Sequence, residues 1–117
     1  MNEIEYLHEI QRMALRKMKN GAAVYGMFDP FSDKRNLAEN GKEETADCYN
    51  YALMEKQKLL ANLNSPAEDL ETLLKLLDDI ASGALLQGVR WCQYEELLHT
   101  KGEQNHIDPK NIDTNKE

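Results

Sequence analysis

The sequence predicts an all-α protein, an antiparallel bundle of three long helices. Apolar residues recur at steps of three and four over long stretches, which is the spacing of one helix face. Leu, Ala and Met are abundant, whereas Val and Phe occur only twice each, and this composition favours helix over strand. The 117 residues are predicted to divide into a helical domain, residues 1–99, and a disordered polar tail, residues 100–117.

The first helix is predicted from Asn2 to Lys19. Its acids precede its bases, the order that complements the helix dipole. The Asn20-Gly21 pair then supplies a stop signal. The residues of its apolar stripe are Ile4, Leu7, Ile10, Ala14 and Met18.

The segment between this helix and the next, residues 21–36, is rich in aromatic residues. Gly26 and Asp29-Pro30 interrupt the helical periodicity. Loops of this composition fold back over a hydrophobic core or line a ligand pocket, and we favour the first interpretation. Its apolar side chains are Tyr25, Met27, Phe28 and Phe31.

The second helix is predicted from Leu37 to Leu63, although Asn40-Gly41 can delay its first turn. Two adjoining arcs follow from a rotation of 100° per residue. The predicted core side comprises Leu37, Cys48, Ala52, Leu59 and Leu63, with Tyr49 and Leu60 beside it. The adjoining arc comprises Glu43, Glu44, Asp47, Asn50, Tyr51 and Met54.

The third helix is predicted to begin with Ser65 as its cap, Pro66 in its first turn and Glu68 closing a capping box. Its leucines are so dense that more than one side needs cover, from other helices or from a second copy of the chain. At Ser82-Gly83 the sequence allows two outcomes: the helix breaks there, or it continues. If it continues, a strip of small residues forms a packing seam, namely Ala81, Ala84 and Gly88.

Composition also limits the partners and the compartment. The net charge of −7 repels a nucleic-acid backbone, so we expect no nucleic-acid binding. No apolar run reaches the length of a membrane span, so we expect no membrane insertion. Cys48 and Cys92 show no metal-binding spacing and are interpreted as small buried residues. A cytoplasmic location is the expectation.

A cluster of acids on the second helix is the main candidate site. Glu44 and Asp47 are three residues apart and therefore adjacent on a helix, with Glu43 one turn before Asp47. Like charges at this spacing need compensation from solvent, from a base such as Lys42, or from Mg²⁺ held by oxygen ligands. A solvated helix face and a metal site both remain open on this evidence.

The segment RNLAENGKEETADCYNYALM resembles the second metal-binding helix of the MazG-like all-α nucleoside triphosphate pyrophosphohydrolases and of their small phage-type relatives. In that family an ExxD pair precedes an apolar stretch that often contains Tyr. Here Glu44 and Asp47 hold the ExxD positions, and Asn50-Tyr51 follows.

The resemblance implies that Glu44 and Asp47 bind Mg²⁺ on a nucleotide's phosphates, that Glu43 assists, and that Lys34 or Arg35 contacts phosphate oxygens. Hydrolysis would then fall between the α and β phosphates. The family's second acidic pair, ExxE on the preceding helix, is absent; the nearest substitutes are Glu5 and Glu9, four residues apart. Either that pair substitutes, or the protein is a silent relative that sequesters a nucleotide-like ligand.

Two further functions compete with an enzyme. One is a binding module with a pocket between subunits of a homo-oligomer, lined by Tyr25, Phe28, Phe31, Arg35 and Tyr51. The other is a phage or mobile-element protein that inhibits a basic host protein through an acidic face of the third helix, formed by Glu68, Asp69, Glu71, Asp78 and Asp79. The single tryptophan, Trp91, is predicted to lie in the core or an oligomer interface.

Overall fold

In a computed structural model, which describes residues 1–62 and 67–105, the chain forms three helices. They are α1 (Glu3–Tyr25), α2 (Leu37–Ala61) and α3 (Ala67–Asn105). The described part contains no strand, so the all-α prediction is confirmed. The chain divides into two compact units, residues 1–33 and 34–117, and each is described by itself.

Helix α1 has a capped start and a glycine stop. The Asn2 side chain accepts a hydrogen bond of 2.9 Å from the Glu5 backbone N–H. The helix ends at Gly26, whose φ of 87° disfavours other residue types. The predicted end at Lys19 is therefore wrong, because a single glycine, Gly21, costs a helix only about 1 kcal/mol and good helix formers follow it.

The segment after α1 is ordered by a local turn. One Asp29 carboxylate oxygen accepts from the Phe31 N–H at 3.0 Å and the other from the Ser32 hydroxyl at 3.0 Å. Its large apolar side chains are exposed, from 52% for Phe28 to 87% for Met27. The interpretation that they cover a hydrophobic core stays a prediction, because residues 1–33 are described by themselves.

Helix α2 begins at the predicted residue. The Asn36 side chain caps it by accepting a hydrogen bond of 3.0 Å from the Glu39 N–H. The Asn40-Gly41 pair is helical and does not delay the first turn. The helix ends at Ala61, and the predicted end at Leu63 lies outside the described residues.

Helix α3 is continuous through Gly83 and extends to Asn105, six residues beyond the predicted limit of the helical domain. Of the two outcomes predicted at Ser82-Gly83, the structure therefore has the continuous one. The predicted cap at Ser65-Pro66 and residues 106–117 of the predicted tail lie outside the described residues.

Helices α2 and α3 pack against each other in antiparallel orientation. Lys42 near the start of α2 contacts Glu95 near the end of α3, whereas Lys56 further along α2 contacts Asp78. In both helices, buried and half-buried residues recur at alternating steps of three and four. This is the heptad pattern of a coiled coil. The facing residues are Ala38, Lys42, Thr45, Tyr49, Ala52, Lys56 and Leu59 in α2, and Leu70, Leu74, Leu77, Ala81, Ala84, Gly88, Trp91, Glu95 and Leu98 in α3.

Small residues form the most buried part of this seam. The buried residues of the described part are four alanines, Ala38, Ala52, Ala81 and Ala84, each at most 8% exposed. The predicted strip of small residues is thus confirmed as a packing seam, since a side chain with no bulk lets two helix backbones approach closely. No large apolar side chain of the described part is fully buried.

Trp91 is half-buried at one end of the seam, where its ring lies against the backbone of Gly41. A Cβ atom placed on Gly41 would overlap the indole ring. The ring also meets Tyr94 edge to face, with centroids 6.1 Å apart. Trp91 is thus half-buried in the α2–α3 seam, and its alternative place in an oligomer interface stays a prediction.

The predicted core side of α2 is only partly correct. Ala52 and Leu59 lie in the seam, but Leu37 is 43% exposed and Cys48 is exposed. Cys92 is exposed as well, so the interpretation of both cysteines as buried residues is wrong. The seam is hard to read from hydrophobicity because three of its seven α2 positions are polar: Lys42, Thr45 and Lys56.

No helix in the described ranges combines the length and the apolar character needed to cross a bilayer.

Candidate functional site: an acidic groove between α2 and α3

An open groove of about 360 Å³ runs along one side of the α2–α3 seam, and we call it the acidic groove. Three of the residues predicted as a ligand site from the sequence line it: Glu44, Asp47 and Tyr51. The remaining lining residues are Cys48, Ala52, Glu55, Leu77 and Ile80.

The heptad packing of α2 explains why these side chains share one groove. Glu44, Cys48, Tyr51 and Glu55 are spaced by four, three and four residues, so they form a row parallel to the buried seam. Helix α3 supplies Leu77 and Ile80 as an apolar floor. The groove is therefore built by two helices that are already fixed to each other.

The lining of the acidic groove is chemically uneven. Three carboxylates come from α2, and the described lining contains no lysine, arginine or histidine to compensate them. Beside them, the Tyr51 ring is 67% exposed and the Ile80 side chain 49% exposed. Carboxylate oxygens suit a hard cation, and an exposed aromatic ring suits a planar apolar group.

Glu55 also lines the acidic groove, although it lies outside the ExxD segment of α2. It follows Tyr51 by four residues and therefore lies one turn further along the same row. The signal that identifies it is the heptad register of α2. A search limited to residues close to the ExxD pair does not reach it.

Two other predicted residues of α2 do not join the groove. Asn50 lines a separate groove on the opposite side of the seam, and Glu43 lines neither. Neighbouring residues of a helix are rotated by 100° about its axis. Asn50 and Tyr51 therefore lie on different sides of the seam although they are adjacent in sequence. The predicted edge of α2 is thus divided between two sides of the helix pair.

The predicted phosphate-contacting residues lie before α2 rather than in the groove. Lys34 and Arg35 precede the capping residue Asn36. From Leu37 to Glu44 the helix rises about 10 Å at 1.5 Å per residue. Neither Lys34 nor Arg35 is among the described residues that line the acidic groove.

The remaining predicted site residues belong to the first unit, residues 1–33. Glu5 and Glu9 are exposed on α1, and being four residues apart they share one side of that helix. Tyr25, Phe28 and Phe31 are exposed in and after its last turn. Each stays a prediction.

The acidic face predicted on α3 is partly neutralised within the chain. Asp78 pairs with Lys56 at 2.8 Å, and Asp79 pairs with Lys75 at 3.5 Å. Glu71 and Asp69 are exposed, and the Glu68 side chain lies outside the described part. No observation in the described ranges favours this face as a binding surface.

On the other side of the seam lies a second open groove of about 490 Å³, which we call the neutral groove. Lys42 is its one base and Glu96 its one acid; the other described lining residues are Thr45, Ala46, Tyr49, Asn50, Ala84, Leu85, Gly88, Val89, Cys92 and Gln93. Lys42 is held by Glu95 at 2.7 Å and Glu39 at 3.2 Å. The hydrogen bond with Glu95, and next the one with Glu39, raise the pKa of Lys42 above its ordinary value.

Within residues 1–62 and 67–105, no cluster of three or more Asp, Glu, His or Cys side chains is arranged to hold a metal ion. The acidic groove therefore offers at most a pair of neighbouring carboxylates, Glu44 and Asp47, as candidate metal ligands. When the chain was compared with protein-family models, with curated proteins and with solved structures, nothing matched it.

Proposed function

We propose that this protein binds a nucleotide or nucleotide-derived small molecule, together with Mg²⁺, in the acidic groove. The observation that carries the proposal is that Glu44, Asp47 and Tyr51 line one groove with an apolar floor. The likeness of this segment to a MazG-like metal-binding helix supports the same class of ligand.

The charge of the groove implies that the metal and the nucleotide bind together. Phosphate groups alone would be repelled by three carboxylates, whereas Mg²⁺ held by Glu44 and Asp47 would supply the positive charge that offsets this repulsion. In proteins Mg²⁺ is commonly held by one or two carboxylates plus substrate phosphates rather than by an all-protein cage. Glu44 and Asp47 supply the carboxylates, and Tyr51 offers a ring against which a base can stack.

Two activities begin with this binding step. A MazG-like enzyme hydrolyses the nucleotide between its α and β phosphates, with the metal neutralising charge on the phosphate oxygens. A silent relative holds the ligand and thereby lowers its free concentration. An assay for pyrophosphate release from nucleoside triphosphates distinguishes the two activities, because only the enzyme releases it. The unpaired thiols Cys48 and Cys92 agree with the reducing cytoplasm in which nucleotides are abundant.

A thermal-unfolding screen tests the proposal. The protein is heated with nucleotides alone, with Mg²⁺ alone and with both, and stabilisation is expected only with both. A ligand at about 100 times its dissociation constant stabilises the native state by ~2.7 kcal/mol. If no nucleotide raises the unfolding midpoint in the presence of Mg²⁺, the proposal is wrong.

Matched variants locate the binding. Asp47→Asn and Glu44→Gln remove groove carboxylates and should abolish the stabilisation by Mg²⁺ and nucleotide. Glu71→Gln removes one negative charge from an exposed position of α3 outside the groove and should leave it intact. Equal losses in all three variants would mean that net charge, and not the groove, governs the effect.

A further inference from the structure

We draw no further inference here: the strongest candidate, the neutral groove with the exposed apolar side chains Leu85 and Val89 on one side of the α2–α3 seam, carries nothing, because nothing in the structure shows what covers it.

Discussion

At the scale of single residues, glycines show how closely the two long helices approach. Gly41 lies under the Trp91 ring, and Gly88 lies beside Thr45, whose hydroxyl oxygen would be 3.2 Å from a Cβ atom at that position. At Gly83 a Cβ atom would meet nothing within 4 Å. Three glycines of similar helical context therefore have different roles.

This difference gives a paired prediction. Gly83→Ala should stabilise the fold by about 1 kcal/mol, because alanine is the better helix former and the space is open. Gly41→Ala gains the same propensity but displaces the indole, and overpacking costs about 1–3 kcal/mol. Urea unfolding should thus show a higher midpoint for the first variant and a lower midpoint for the second. A raised midpoint for Gly41→Ala would contradict the contact with Trp91.

Lys42 provides a prediction about pH. Its pKa is raised by Glu95 and Glu39, so the folded state holds the proton more tightly than the unfolded state. The stabilisation is present at neutral pH and is lost as the pH rises above the ordinary lysine value of about 10.4. The difference in unfolding midpoint between the wild type and Lys42→Met should therefore shrink above that pH. If the difference in unfolding midpoint stays constant up to the most alkaline condition, the ion pairs of Lys42 do not cause it.

At the scale of elements, the sequence predicts the three helices correctly, but it predicts where they end less well. Leu37 was correctly predicted as the start of α2 because Asn36 is a good cap, and the strip Ala81, Ala84 and Gly88 was correctly predicted as a seam. The end of α1 was placed at Asn20-Gly21 because glycine is read as a stop. One glycine between strong helix formers does not end a helix, and the stop came at Gly26, whose φ is positive.

The cap of α2 can be tested directly. Asn36→Ala removes the acceptor for the Glu39 N–H and should lower the free energy of unfolding by about 1 kcal/mol. Asn36→Asp keeps an acceptor and should retain most of that stability. Thermal or urea unfolding measures both. If the two variants are equally destabilised, the hydrogen bond contributes nothing and another property of Asn36 matters.

The acids of helix α1, Glu5 and Glu9, are predicted to distinguish hydrolysis from binding alone. If the protein is an active MazG-like enzyme, the double variant Glu5→Gln/Glu9→Gln should lose pyrophosphate release while retaining stabilisation by Mg²⁺ and nucleotide. The physical reason is that Glu44 and Asp47 suffice to hold a metal already bound to phosphates. Unchanged hydrolysis in the double variant would show that α1 does not supply the second acidic pair.

At the scale of the whole molecule, the candidate site was predictable only in part. The ExxD spacing identified Glu44 and Asp47, and the adjacency of Tyr51 followed from the helical period. The heptad seam was hidden because its lysines bury their aliphatic stems and place their charges against Glu95 and Asp78. Without that register the sequence does not point to Glu55, and it does not show that Asn50 lines the other groove.

The same register organises the function proposed for the α2–α3 pair. One side of the seam has carboxylates without bases, and the other is apolar with balanced charge. The side with carboxylates is the one that we propose for a Mg²⁺-nucleotide.

The most direct test of the acidic groove replaces Mg²⁺ with Mn²⁺, whose unpaired electrons broaden nearby nuclear resonances. Amide spectra of the ¹⁵N-labelled protein are recorded with a nucleotide and a small amount of Mn²⁺. Resonances of residues 44–55 should broaden first, followed by those near Leu77 and Ile80, and Asp47→Asn should remove the effect. Uniform broadening, or broadening centred on the α1 acids alone, would contradict a metal-nucleotide site in this groove.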